Sequence, residues 1–381
     1  MAGLYVHIPF CKSRCIYCGF YSTTAVEWRQ RYVDALCKEM DMREGDIETI
    51  YLGGGTPSQL STEQLQQLFA HIYKRYGSKA RETTIEVNPD DVTADYATLL
   101  AQLGINRVSM GAQTFDDQRL RFLHRRHTAS QVPLAVEHLR KAGIRNISID
   151  LMYGFPNETL EEWDYDISQA LTLQVEHLSA YCLMIEEDTP LHRMNIEAVD
   201  EETERQMYEL LIDRLTAAGY EHYEISNFAK PNYRSQHNGN YWRDVPYLGI
   251  GASAHSYDLK SRQWNISDIK AYTEAIEQRK IPCEQEEIDE PTHYNDRITV
   301  ALRTVEGLDL DTLSAPYRTY CEQEAQRYIE QGLLIRKGSH LALTRKGLFV
   351  SDDIMSSLIY ILLATINIYL RKDMFFCKNA K

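Results

Sequence analysis

Short apolar runs alternate with longer amphipathic stretches from the first residues of the chain. The runs "LYVHI" (4–8), "TIYLGG" (49–54), "TTIEVNP" (83–89), "RVSMGAQ" (107–113), "NISIDLMYG" (146–154) and "HLSAYCLMI" (177–185) read as strands. Between them, 27–43, 61–75, 93–103, 129–142, 159–172 and 200–218 read as helices. Ser61 with Gln64 forms a capping-box signature, and Gly104 and Gly143 sit where a helix would end. Six βα units in succession predict a parallel sheet with helices outside it. Polar and glycine-rich signatures follow the strands: cysteines after 4–8, "GGGTP" after 49–52, Glu86–Asn88 and Gln113 at strand ends, Asp150 in the fifth strand. A barrel gathers its strand C-termini on one face, so the expected fold is α/β, a partial (β/α)6 TIM-like barrel.

The texture changes near residue 290. Helices there give way to a hairpin, "LLIRKGSHLALT", with its turn at Gly338, which predicts a smaller winged-helix-like α+β domain. The expected organisation is a core barrel at 1–220, a barrel-associated segment at 221–289, the C-terminal domain at 290–357 and an apolar tail at 358–381. The tail's "LIYILLATINIYL" (358–370) is shorter than the roughly 20 residues that span a bilayer. It reads as a packed last helix, with a membrane-surface contact or a non-native extension as alternatives.

Composition is that of an ordinary globular protein, with 44% apolar and 25% charged residues over 381 positions. The net charge of −14 opposes nucleic-acid binding unless a basic patch overcomes it. "RLRFLHRRH" (119–127) is short, and Arg336, Lys337, Arg345 and Lys346 read as a solvated face of the hairpin. Small-molecule ligands fit this charge better. The N-terminus shows neither a basic n-region nor an apolar h-region, so a reducing cytosolic location is expected. Cys37, Cys182, Cys283, Cys321 and Cys377 are scattered and read as buried or free thiols.

The concentrated chemistry lies in "HIPFCKSRCIYCGFYS" (7–22), which holds Cys11, Cys15 and Cys18. Three thiolates in one loop suit either an iron–sulfur cubane with one iron left open, or a zinc ion completed by His7. "LGGGTPS" (52–58) would let backbone approach a ligand closely, which a zinc site does not need. Glu86, Gln113, Arg125 and Asp150 add two acids, an amide and a guanidinium from successive strand ends. That set suits a ligand with amino, carboxylate and ribose groups.

"YVHIPFCKSRCIYCGF" resembles the radical S-adenosylmethionine superfamily, whose loop is Cys-x3-Cys-x2-Cys. Within it, the chain is similar to the anaerobic coproporphyrinogen III oxidase family and its HemW-like branch of haem chaperones. The likeness runs through "GGGTPS", "IEVNP", "RVSMGAQTF", "IDLMYGFP", "GYEHYEISNFA", "HNGNYW", "GIGASAHSY", "LRTVEG" and "LTRKG", over nearly all of 4–357. The resemblance implies a 4Fe–4S cluster on Cys11, Cys15 and Cys18. It implies an S-adenosylmethionine site on Tyr5, Tyr17, Gly54, Gly55, Thr56, Glu86, Gln113, Arg125 and Asp150, the cofactor occupying the open iron.

Two features favour the chaperone branch over the oxidase. The oxidase pattern carries a further cysteine two positions after the third ligand, where this chain has Phe20, and an N-terminal extension that this chain lacks. "HNGNYW" (237–242) fits the pattern of the haem-chaperone branch. His237 is accordingly the expected haem-iron ligand, with Tyr241 and Trp242 packing on the macrocycle and His255 and His7 as alternatives. The implied function is binding of haem and its delivery to haem-accepting proteins, acceptors at the membrane included, with no catalytic residue of its own. Oxygen-independent decarboxylation of coproporphyrinogen III is the enzymatic alternative, and a zinc-stabilised interaction protein the third.

Overall fold

The computed structural model describes residues 2–361, so the apolar tail from 362 onward, with Cys377, lies outside the described residues. Six parallel strands form the centre: β1 (Ala2–Ile8), β2 (Ile47–Gly54), β3 (Glu82–Val87), β4 (Arg107–Gln113), β5 (Asn146–Tyr153) and β6 (His177–Cys182). Each is followed by a helix, as the alternating pattern predicts. The capping box at Ser61 forms, with Ser61 accepting from the Gln64 backbone and Gln64 returning the bond.

Strand alternation divides this sheet into two unlike faces. Leu4, Val6, Ile8, Ile50, Leu52, Ile85, Val108 and Met110 are fully buried and pack with helix residues such as Leu36, Leu65 and Leu139 in one large core. The opposite, concave face carries Tyr5 and His7, Thr49 and Tyr51, Glu82 and Glu86, Arg107 and Ser109, Ser148 and Asp150, His177 and Ser179. Polar groups there pair across strands: Tyr51 donates to Glu86 Oε1 at 2.8 Å, and Ser148 Oγ and His177 Nδ1 lie 2.8 Å apart. A face this polar is stable inside a fold only when its groups are hydrogen-bonded or serve a ligand.

Residues 221–289 lengthen the sheet at both ends. β7 (Glu221–Glu224) and β8 (Asn227–Ala229) add beyond β6, whereas β9 (Tyr247–Ile250), β10 (His255–Tyr257), β11 (Ser261–Asn265) and β12 (Cys283–Glu287) add beyond β1. The strand order ends at β12 on one side and β7 on the other, so the arc stays open as a partial barrel. β12 reads "CEQEE" and is mostly exposed. The outer edge of β7 is covered by the segment 303–305, where Val305 N–H donates to Tyr223 O and Ile225 N–H to Arg303 O, both at 3.1 Å.

A second core lies in the C-terminal part, formed by Ile298, Leu302, Cys321, Leu334, Leu341, Ile354 and their neighbours. The hairpin forms there as β14 (Leu334–Lys337) and β15 (His340–Leu343), flanked by β13 (Leu308–Asp309). Gly338 turns it in the left-handed region, at φ +65°. Two of the hairpin-region cations are paired, Arg336 with Glu322 at 2.9 Å and Arg345 with Asp213 at 2.6 Å. Among the described residues no helix is long and apolar enough to cross a membrane.

Candidate functional site

The loop leaving β1 is tied at both ends. Cys11 N–H donates to Thr23 O at 2.9 Å and Thr23 N–H to Pro9 O at 2.7 Å. In its middle, Ile16 is buried with Leu123, Met152, Phe155, Leu183 and Leu191, an apolar anchor separate from the main core. With Ile16 held inward, Cys11, Cys15 and Cys18 line one cleft, none of them in a disulfide. Cys11 Sγ lies 3.7 Å from Thr56 Oγ1, and Arg125 Nη1 donates to Cys15 Sγ at 3.7 Å. Burial pushes the Cys11 thiol pKa up.

The same cleft is lined by Tyr17, Gly54, Gly55, Thr56, Glu86, Gln113, Arg125 and Asp150. Eight of the nine residues expected around S-adenosylmethionine therefore converge on the three thiols. Gln113 sits at a bulge between β4 and β5 with φ +67°, an unusual backbone for a residue with a Cβ, and such strain is commonly held at functional sites. Arg125 Nη2 donates to Asn88 Oδ1 at 2.7 Å and to Gly111 O at 2.6 Å, which fixes the guanidinium plane. Its Nε is buried with no hydrogen-bond partner. An unsatisfied buried donor beside three thiols is what a site shaped for an anionic ligand presents when the protein alone is counted.

At four points the structure shows contacts that the motifs do not. The ninth residue, Tyr5, does not line this cleft; its hydroxyl lies 3.0 Å from His7 Nδ1, and its ring faces a second cavity. The glycines at 53–55 make room chiefly for protein. A Cβ on Gly54, at φ +106°, would lie 2.4 Å from the His7 ring, and one on Gly55 2.7 Å from the Pro9 carbonyl carbon. Glu86 is engaged by its own fold, accepting from Tyr51 and from Gly54 N–H at 3.1 Å. His7 is unsuited to complete a zinc site, because Nδ1 takes the Tyr5 hydroxyl and Nε2 donates to Tyr21 O at 3.1 Å. Among the described residues no three His, Cys, Asp or Glu side chains are grouped to share one metal ion.

His237 also departs from its expected role. It is 1% exposed, stacked on Tyr51 with ring centroids 5.2 Å apart. Nδ1 lies 2.9 Å from Thr49 Oγ1 and Nε2 2.9 Å from the Tyr241 hydroxyl, so neither nitrogen is left for an iron. Its backbone N–H and that of Gln236 donate to Glu82, which anchors the helix Gln236–Trp242 against the concave face. The "HNGNYW" segment thus fills the lower barrel. Tyr241 and Trp242 do line a cavity, together with Tyr5, Tyr247, His255 and Tyr257.

Two buried carboxylates that the motifs did not suggest brace the cleft loops. Asp166 accepts from Thr114 Oγ1 at 2.6 Å and Phe115 N–H at 2.8 Å, just after Gln113. Glu158 accepts from Gly154 N–H at 2.6 Å and Phe155 N–H at 3.0 Å, and pairs with Arg119 at 3.0 Å. Burial raises their pKa values to about 6 and about 7 respectively, against the pull of Arg119 and of the hydrogen bonds they accept. A carboxyl whose folded pKa is raised stabilises the fold below its unfolded pKa and loses that contribution as pH rises through the folded value. Glu158→Gln should therefore gain thermal stability relative to the native chain between about pH 4.5 and 7.5. A melting-temperature difference that stays flat, or moves the other way, would show that Arg119 keeps Glu158 ionised.

Comparison with known proteins adds to this geometry. The model of the Radical SAM superfamily matches residues 5–170, and that of the HemN C-terminal domain matches 288–350. The "Heme chaperone HemW" of Bacillus subtilis is 33% identical over 94% of this chain and 99% of its own length. That of Lactococcus lactis is 33% identical over 92% and 95%. Among solved structures, coproporphyrinogen III oxidase (HemN) from Escherichia coli superposes with a TM-score of 0.83 over 95% of this chain and 90% of that one. At 23% identity this last likeness is one of fold.

Proposed function

The chain belongs to the HemW family, and from that premise we propose that it is a haem chaperone that carries a 4Fe–4S cluster and S-adenosylmethionine and hands haem to acceptor proteins. The observation that carries this reading is the convergence of Cys11, Cys15 and Cys18 on one cleft with Arg125 and Gln113. The three thiols supply three soft ligands, and the fourth position is left to a small molecule. When bound, the cluster supplies redox chemistry and an open iron. Arg125 would hold the cofactor's carboxylate with a guanidinium already oriented by Asn88 and Gly111, and Asp150 and Glu86 would meet its cationic and hydroxyl groups, Glu86 through the lone pairs left beside its bonds from Tyr51 and Gly54. Phe20, also at the cleft, closes with a hydrocarbon the position at which the oxidase pattern carries a further thiol. The proposed location is the cytosol.

Arg125→Ala removes a charge-assisted bond worth about 1.5–3 kcal/mol, so affinity for S-adenosylmethionine should fall about ten- to a hundredfold. Calorimetry on the anaerobically reconstituted protein checks this, and equal affinity would move the carboxylate elsewhere. The function itself is tested on the same preparation by titrating hemin and assaying coproporphyrinogen III with a low-potential reductant side by side. Binding of hemin, its transfer to an apo-haem acceptor and no decarboxylation are expected. Turnover to protoporphyrinogen would defeat the chaperone reading.

A further inference from the structure

We propose that His255 is the iron ligand for haem and that the macrocycle edge enters the aromatic cavity between β9, β10 and the helix Glu290–Ala301, an assignment that rests on the haem-chaperone reading above. Of the histidines near the concave face, His7 and His237 have both ring nitrogens engaged. His293, beside the same cavity, is held by Asp244 at 2.7 Å. His255 differs: no hydrogen bond from a described residue reaches either ring nitrogen, and the ring lines the cavity.

Its position is built rather than incidental. His255 pairs with Trp264 across β10 and β11, and the two rings stack at 6.2 Å, which limits how far the imidazole can swing. The backbone is equally fixed, because a Cβ on Gly249 would lie 2.0 Å from His255 O. Burial, with Arg262 nearby, pushes the His255 pKa down to about 4, so the ring is neutral at neutral pH and keeps a lone pair for a metal.

The walls suit a flat apolar ring. Tyr241 and Tyr247 meet edge to face at 4.8 Å, and Val245 and Val300 add aliphatic surface. Arg262 is already paired with Asp296 and Glu286, so it neutralises neighbouring acids rather than waiting for a propionate. The cavity encloses about 60 Å³, room for one edge of a macrocycle and not for the whole. Haem seated there would keep most of its surface open to an acceptor, as a carrier requires.

The test is a hemin titration of the full chain, native and variant, followed by absorbance. His255→Ala is expected to weaken binding at least about tenfold and to shift the Soret band, and added imidazole should restore the native band. Val300→Trp, which fills the cavity and leaves the imidazole intact, should also lower affinity. Unchanged affinity and band in His255→Ala would overturn the assignment while leaving the haem reading standing. Failure of the native chain to bind hemin would overturn both. If His255→Ala fails to fold, an iron–histidine stretch in the resonance Raman spectrum of the reduced native complex that is unaltered in Val300→Trp sinks the proposal, and so does the lack of any such stretch in the native complex.

Discussion

Alanine in place of Cys11, Cys15 or Cys18 is expected to abolish the brown chromophore that anaerobic reconstitution with iron and sulfide should produce. Each thiol is held by a different part of the fold. Cys11 stands at the β1 exit against Thr56, Cys15 takes the Arg125 guanidinium, and Cys18 follows a turn closed by its N–H on Cys15 O at 3.4 Å. Two surviving thiols cannot close a cubane whose remaining corner the protein does not ligate. Cys37→Ala and Cys321→Ala are the controls, since Cys37 lies on the helix Arg29–Asp41 and Cys321 in the second core, neither of them at the cleft. Iron and sulfide analysis decides it: near-native content in Cys15→Ala would remove the cluster from this loop.

The second large effect concerns stability. His237→Ala should lower the unfolding free energy by about 2–4 kcal/mol, because it deletes a stacked ring from the barrel interior and takes a hydrogen-bond partner from two hydroxyls. Thr49 and Tyr241 lose their shared partner, and the face of Tyr51 is left beside a void. In urea the midpoint should fall with little change in slope. Below its unfolding range the variant should bind hemin with an unmoved Soret band. A moved band with an unchanged midpoint would return the iron ligand to His237.

The elements and most of the cleft were legible in the chain because they rest on local rules. Six apolar runs of strand length and six amphipathic stretches fall within a few residues of β1–β6 and their helices, since parallel βα units repeat one pattern. The cysteine loop and the strand-end polar residues converge because a partial barrel brings all its strand exits to one end. What escaped is what depends on long-range packing. β7 to β12 are three to five residues each, too short for alternation to show, and the pairings that tie them to the central sheet, β8 on β6 and β9 on β1, are distant in sequence. Tyr5 and His237 misled for one reason: a motif names a residue type but not which way its ring nitrogens or hydroxyl face. Spacing could not show that Thr49, some 190 positions away, meets the His237 ring. Glu158 and Asp166 carried no motif at all, because their role comes from backbone N–H groups that the fold delivers to them.

An open arc of strands leaves two unsatisfied borders, and each border is a template on which another chain could nucleate cross-β growth. The two are defended differently. At β7 the covering segment 303–305 takes up the free backbone groups, so anything that peels the C-terminal part away would uncover an adhesive rim. At β12 the defence is chemical: the exposed Glu284 and Glu287 confront any second copy with like charges. That guard works only while the carboxylates are ionised and unscreened. Mild acid or concentrated salt should therefore make the chain self-associate, and through this border first.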